Sequence, residues 1–133
     1  MSYESALVYF AGLTILLLGI EIMFTYATQG FGFGFSSNRD PSREFSALAM
    51  RIKNTYRNQV ESATYIVPVL AAASITGLGN SHAEMAALII ILGRVLFSVL
   101  YYAGIPFARV IGFTMATFST LFIGYTLLAS GLL

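Results

Sequence analysis

The chain has 133 residues, of which 57% are hydrophobic and 10% are charged, with a net charge of +1 and a mean hydropathy of +0.78. A soluble domain carries about a quarter charged residues, so this composition excludes an ordinary soluble protein. The absence of cysteine excludes disulfides, thiolate metal sites and a cysteine nucleophile, and a single histidine excludes a histidine metal cluster. We therefore expect one domain, 1–133, with lipid as its main solvent and no metal site.

Four apolar segments are long enough to cross the membrane, which takes about 20 helical residues. Each contains few charges: Glu21 is the only one in the first segment, and Arg94 interrupts the third. The sequence therefore predicts an all-α integral membrane protein, a left-handed bundle of four transmembrane helices. The expected spans are 5–28, 46–78, 84–103 and 107–131.

Glycine, proline and small polar residues mark the connections between these segments. Residues 30–44 (GFGFGFSSNRDPSRE) predict a polar loop, and within it residues 30–35 predict a flexible interfacial loop whose phenylalanines dip into lipid. The glycines there do not indicate a phosphate-binding loop, because no strand precedes them and no Lys-Ser/Thr follows. Residues 77–84 predict a tight turn, and Gly104-Ile105-Pro106 predicts a hinge before the fourth helix.

The distribution of basic residues predicts the orientation in the membrane. The opposite end of the bundle carries Glu4, His82 and Glu84 and no lysine or arginine. By the positive-inside rule, the first and third loops face the cytoplasm and both termini lie on the non-cytoplasmic side. The N-terminus lacks the basic start of a cleavable signal peptide. The basic residues on the side assigned to the cytoplasm are Arg39, Arg43, Arg51, Lys53, Arg57 and Arg109.

A polar stripe is predicted on the second long helix. Its members are spaced by three or four residues and therefore share one helical face. Exposing such groups to hydrocarbon is costly, so the stripe should face the bundle interior or a water-filled cavity. Its members are Arg51, Asn54, Asn58, Glu61 and Tyr65.

A second polar set lies on the third helix and beyond the hinge. Arg94, Phe97 and Tyr101 follow at i, i+3 and i+7, and Arg109 comes just after the hinge. Where the two sets meet, a pocket would offer cations, an amide, a carboxylate and a phenol. Those groups suit a small polar anion that has amide groups of its own, such as a peptide-like ligand.

These residues resemble the signatures of a known family, the membrane-associated proteins in eicosanoid and glutathione metabolism (MAPEG). The matching blocks are Arg51-x6-Asn58-x2-Glu61 and Arg94-x6-Tyr101-Tyr102-x-Gly104-Ile105-Pro106-x2-Arg109. Their order and the four-span layout agree over essentially the whole chain, as in a bacterial-type member similar to the microsomal glutathione S-transferases. The resemblance implies a homotrimer in a bacterial inner membrane. It also implies three glutathione sites between neighbouring subunits and a hydrophobic second substrate. No residue pattern in the chain indicates nucleic-acid binding.

The resemblance also implies roles for individual residues. Arg109 would stabilise the glutathione thiolate, since a fixed cation lowers a thiol pKa that is ordinarily about 8.5. Glu61 would bind an ammonium group, and Arg51 would bind a carboxylate. The full set expected to bind the cosubstrate glutathione is Arg51, Asn54, Asn58, Glu61, Arg94 and Tyr101.

Two functions stay open at this point: a glutathione-dependent transferase or peroxidase acting on lipophilic electrophiles, and a non-catalytic membrane protein. The second would bind a lipid-like ligand or serve as a small subunit of a larger membrane complex. Retention of Tyr101 and Arg109 favours the enzyme. The departures from the synthases of the family, which favour the second reading, are Asn54, Ser62, Phe97 and a first span ending Thr28-Gln29 without arginine.

Each site residue also has a purely structural interpretation. The polar stripe would serve as a clamp between helices, and Arg94 would pair internally with Glu61 or Glu21. Tyr101 and Tyr102 would be interfacial aromatics, and Arg109 a cytoplasmic anchor. The arginine missing from the first span could be replaced in space by one of three others: Arg39, Arg43 or Arg57.

Overall fold

The structure, a computed structural model, describes all 133 residues of the chain. All of its regular secondary structure is helical, which confirms the predicted all-α class. The four long helices begin and end within three residues of the four apolar segments. A short fifth helix was not predicted. The helices are α1 (Tyr3–Gln29), α2 (Phe31–Phe35), α3 (Ala47–Thr76), α4 (Ser81–Tyr102) and α5 (Ala108–Ser130).

The expectation of a flexible loop at 30–35 is wrong, because these residues form α2. Gly34 lies directly against the ring of Tyr26, where a Cβ would collide with the ring carbons. Phe31 and Phe35 pack on the same ring, with centroid distances of 5.4 and 5.1 Å. Aromatic packing therefore orders a glycine-rich segment whose intrinsic helix propensity is low.

Local sequence signals define the ends of the long helices. The side chains of Ser2, Ser46 and Asn80 accept hydrogen bonds from backbone N–H groups in the first turns of α1, α3 and α4. At the other end of α3, Gly77 adopts φ of +69°, and the Leu78 N–H donates to the Ala73 carbonyl at 3.0 Å. This glycine-ended cap lets the chain turn back into α4 within four residues.

Helices α4 and α5 cross in close contact where two glycines face each other. A Cβ on Gly112 would lie 2.6 Å from the Gly93 carbonyl oxygen and 2.6 Å from the Phe97 amide nitrogen. No side chain fits between these backbones. The crossing therefore holds the start of α5 beside the C-terminal half of α4, which positions the hinge residues discussed below.

Three of the long helices, α1, α4 and α5, are long and apolar enough to cross a membrane. Only 28 of 133 residues are buried, and 11% of the most apolar window of α1 is covered by protein. Large apolar side chains cover the outside, which suits lipid as the surrounding solvent. The other long helix, α3, is less apolar because its first half carries Arg51, Lys53, Arg57 and Glu61.

Candidate functional site

The connection between α4 and α5 is held to α3 by Arg51. Its Nε donates a hydrogen bond to the Tyr102 carbonyl oxygen at 3.1 Å, so a cation caps the C-terminal end of α4. The guanidinium also lies beside Gly104, 3.4 Å from the place where a Cβ would stand. Gly104 adopts φ of +76°, and this bend lets the chain turn into α5.

Arg109, at the start of α5, lies against the aromatic residues of α4. Its guanidinium carbon is 4.3 Å from the centre of the Tyr101 ring. Tyr101 meets Phe97 edge to face at 5.4 Å, and Arg94 lies over Phe97 at 4.7 Å. The four side chains therefore form one row, the α4 ladder, with a cation at each end and two aromatic rings between them.

Arg94 is fully buried, with 0% of its surface exposed, and its partners are two amides. Its Nε donates to the Gln59 side-chain oxygen at 3.0 Å, and its Nη2 donates to the Asn58 oxygen at 2.8 Å. Neither Glu61 nor Glu21 pairs with it, so the structural interpretation that expected such an ion pair is wrong. The remaining nitrogen, Nη1, is buried without a partner.

The face of α3 that enters the bundle is not the predicted stripe but the neighbouring one. Its buried polar residues are Thr55, Gln59 and Ser62. Gln59 extends the Arg94 contacts to α1, since its amide nitrogen donates to the Thr14 hydroxyl at 3.0 Å and approaches the Phe10 carbonyl at 3.5 Å. A polar network therefore joins α1, α3 and α4 across the core.

The predicted stripe itself is divided between four environments. Arg51 binds the hinge and Asn58 binds Arg94, whereas Asn54 and Glu61 line an open cavity of about 470 Å³ on the outer side of α3. Glu61 is exposed there, and the other charged residues lining this cavity are Glu21, Lys53 and Arg57. The fifth member, Tyr65, lines a separate groove between α3 and α5.

The model of the MAPEG family matches residues 6–129, nearly the whole chain and both signature blocks. This chain belongs to the MAPEG family. Comparison with curated proteins and with solved structures produced no match. Family membership and the three apolar helices together identify an integral membrane protein.

In this MAPEG chain, one of the three possible replacements for the first-span arginine does lie at the end of α1. Arg43 donates from Nε to the Gln29 side-chain oxygen at 2.6 Å and from Nη2 to the Gln29 carbonyl. Arg39 instead donates to the Gly34 carbonyl at the end of α2.

Outside the helices, hydrogen bonds from Ser42 hold the pKa of the exposed Asp40 carboxyl below its usual range.

Sequence reasoning missed Gln59, Thr14 and the glycine pair of the MAPEG bundle. A signal for Gln59 was present, because Thr55, Gln59 and Ser62 form a second polar row spaced by four and three residues. The charged stripe on the neighbouring face was predicted to enter the bundle instead. For Gly112 no comparable signal exists, since a single glycine in an apolar helix is common among membrane spans.

An apolar groove of about 710 Å³ runs along the outside of this MAPEG bundle between α3 and α5. Tyr65 and Pro68 form its α3 side, and Phe113, Leu121 and Tyr125 line its α5 side. It is open on the outer surface of the bundle, where Leu121 and Tyr125 are exposed. The groove and the hinge share an element, since α5 carries both Arg109 and Phe113 near its start.

Proposed function

We propose that this chain is a glutathione-dependent transferase or peroxidase that acts on lipophilic electrophiles within the membrane. The observation that carries the proposal is the gathering of Arg51, Tyr101 and Arg109 at the hinge. These residues come from three helices, and the resemblance had assigned all three to one thiol site. The family match supports the proposal without specifying the reaction.

Arg109 has the surroundings required of a thiolate-stabilising cation. It is half-buried, and the contact that positions it is the face of the Tyr101 ring. Its guanidinium donors therefore remain available to an anion. A thiol beside this cation would lose its proton more readily, because the charged form gains an attractive interaction that the neutral form lacks. In the transferase reaction the thiolate sulfur would form a bond to the electrophilic carbon of the second substrate while the leaving group departs with its electron pair. In the peroxidase reaction it would attack a peroxide oxygen, the O–O bond would break with release of the alcohol after protonation, and a second glutathione would reduce the sulfenic product to glutathione disulfide and water.

The remaining predicted residues suit the two ends of a small peptide. Asn54 and Glu61 line the open cavity beside α3, where Glu61 offers a carboxylate to an ammonium group. Arg51 uses its Nε at the Tyr102 carbonyl, and its terminal nitrogens can bind a carboxylate. The apolar groove offers a place for a hydrophobic substrate that arrives through the lipid.

The outer face of α3 also supports the predicted assembly, a homotrimer of four-span bundles. A charged surface at Arg57 and Glu61 is costly against lipid, and a neighbouring subunit that covers it would remove the cost. Mass measurement in mild detergent should give three copies of the chain.

Single cysteines at Ser37 and Ser81 should label from opposite sides of the membrane, and labelling of both from one side would exclude the four-span arrangement with the first loop in the cytoplasm.

A non-catalytic role is the second candidate, and the apolar groove favours it. A volume of about 710 Å³ with mostly hydrophobic walls suits the chain of a lipid-like ligand. In that case the polar stripe would serve as a clamp, and the protein would bind a lipid or join a larger membrane complex.

Isothermal titration of the detergent-purified protein with glutathione separates the two candidates. The enzyme should bind glutathione at millimolar concentration or below, and the ultraviolet absorbance of the complex should show thiolate at neutral pH. Absence of binding at millimolar glutathione would reject the enzyme and leave the lipid-binding role.

A further inference from the structure

Arg94 is a buried cation without a counter-charge. Its side chain is 0% exposed, and its hydrogen-bond acceptors are the neutral amide oxygens of Gln59 and Asn58. Nη1 has no partner. A fully buried guanidinium is normally paired with a carboxylate, because desolvating a charge is expensive unless an opposite charge offsets it. Here two neutral amides accept hydrogen bonds from the Arg94 guanidinium, and no negative charge balances its positive charge.

The surrounding helices confirm that no carboxylate neutralises Arg94. From α3, its hydrogen-bond partners are the neutral side chains of Gln59 and Asn58, and Glu61 is exposed at the outer cavity. From α1, Thr14 and the Phe10 carbonyl contact Gln59, while Glu21 lines the outer cavity together with Lys53 and Arg57. From α5, the nearest cation is Arg109, which lies beyond Phe97 and Tyr101 in the α4 ladder.

The α4 ladder connects this buried charge to the hinge site. Arg94 and Arg109 lie at its two ends, each against an aromatic ring, at 4.7 and 4.3 Å. The rings between them meet at 5.4 Å, and the Phe97 ring beside Arg94 is buried. Charges interact more strongly through such an apolar path than through solvent. An anion bound at Arg109 would therefore be attracted by both cations, by Arg109 in direct contact and by Arg94 from the far end of the α4 ladder.

We propose that Arg94 is a buried electrostatic source that makes the hinge an anion site, and that Gln59 keeps this charge uncompensated. A glutamate at position 59 would have nearly the same shape, and its carboxylate would neutralise Arg94 in place. The neutral amide is thus the feature on which the field depends. The identity of the anion as a thiolate rests on the proposed function, whereas the field at the hinge does not.

The test is the substitution Gln59→Glu, read out as the pKa of a thiol at the hinge. In the unsubstituted protein the pKa of bound glutathione should lie below its value in solution. In Gln59→Glu it should rise by about one unit, the shift expected for unit charges roughly 10 to 15 Å apart at an effective dielectric constant of about 20. Arg94→Gln, which removes the charge itself, should raise it by a similar amount.

Thr14→Val is the matched control. It removes the other hydrogen bond of Gln59 without changing any charge, so it should lower stability and leave the thiol pKa unchanged. A purely structural role for the network predicts that Gln59→Glu also leaves the thiol pKa unchanged, and that result would overturn the proposal. A rise in Thr14→Val equal to that in Gln59→Glu would overturn it as well.

A second readout keeps the proposal independent of glutathione binding. Because the chain has no cysteine, a Tyr101→Cys reporter places a single thiol in the α4 ladder, and its pKa follows from the pH dependence of its alkylation rate. Adding Gln59→Glu should raise that pKa by about one unit. If glutathione fails to bind but the reporter shifts, the proposed function is wrong and the buried field stands. If the reporter does not shift, the buried field is wrong even where glutathione binds.

Discussion

Helix α3 carries polar residues on two neighbouring faces, and the two faces are treated differently by the fold. On the inner face, Gln59 hydrogen-bonds to both Arg94 and Thr14 within the chain. On the outer face, Asn54 and Glu61 line an open cavity. Inner polar groups that find partners inside the bundle hold three helices together. Outer groups instead line an open cavity, where the proposed function places a ligand or a neighbouring subunit.

The largest expected effect is on stability, from breaking the inner face. Gln59→Leu removes an acceptor from buried Arg94 and should lower the free energy of unfolding by about 3 kcal/mol. Asn54→Leu, on the outer face of the same helix, is the matched control and should change it by less than about 0.5 kcal/mol. Denaturation of both variants in detergent measures the difference. Equal losses of unfolding free energy in the two variants would show that the inner face of α3 contributes no more to stability than the outer face.

The next effect is on the hinge. Arg109→Ala should reduce turnover at neutral pH by about one to two orders of magnitude, since one charge-assisted contact is worth about 1.5–3 kcal/mol. Without the cation the pKa of bound thiol rises, so less thiolate is present at neutral pH and activity should recover as pH increases. Arg109→Lys retains the charge and should keep most of the rate. Full activity of Arg109→Ala at neutral pH would contradict the assignment of Arg109.

A smaller loss, of stability, is expected at the crossing of α4 and α5 that positions the hinge. Gly112→Ala forces apart the backbones of α4 and α5 and should cost about 1–2 kcal/mol of stability. Gly124→Ala is the matched control on the same helix, because its Cβ meets nothing within 4 Å. It should be neutral or slightly stabilising. Thermal unfolding of the two variants tests whether the close crossing carries the effect.

The smallest effect should come from the outer face itself. Glu61→Gln removes a charge from the open cavity and should weaken glutathione binding roughly fivefold to tenfold, because an exposed charged contact contributes about 1 kcal/mol. Titration calorimetry measures this change, and the unfolding free energy should stay constant. If Glu61→Gln destabilises the protein or prevents its assembly while binding persists, Glu61 belongs to a structural clamp.

Much of this architecture was predictable from the order of residues alone. Long apolar runs define membrane helices locally, and glycine, proline and capping residues define their ends, so the four long helices were located within three residues. The two signature blocks also contain Arg51, Tyr101 and Arg109, which the fold brings to the connection between α4 and α5. The segment 30–35 was an exception. Its helix depends on packing against Tyr26, a contact that local propensity does not contain.

The sequence by itself determined the class of protein, its helices and the spacing of polar residues along each helix. Only the tertiary structure decided which face of α3 enters the bundle, and hence that Arg94 is held by Gln59 and Asn58 and not by Glu61. The reason is geometric. Helical periodicity fixes the angles between residues on one helix, whereas the rotation of that helix about its axis depends on its neighbours. Here that rotation depends on contacts between helices such as Gln59 with Thr14, which no single helix specifies.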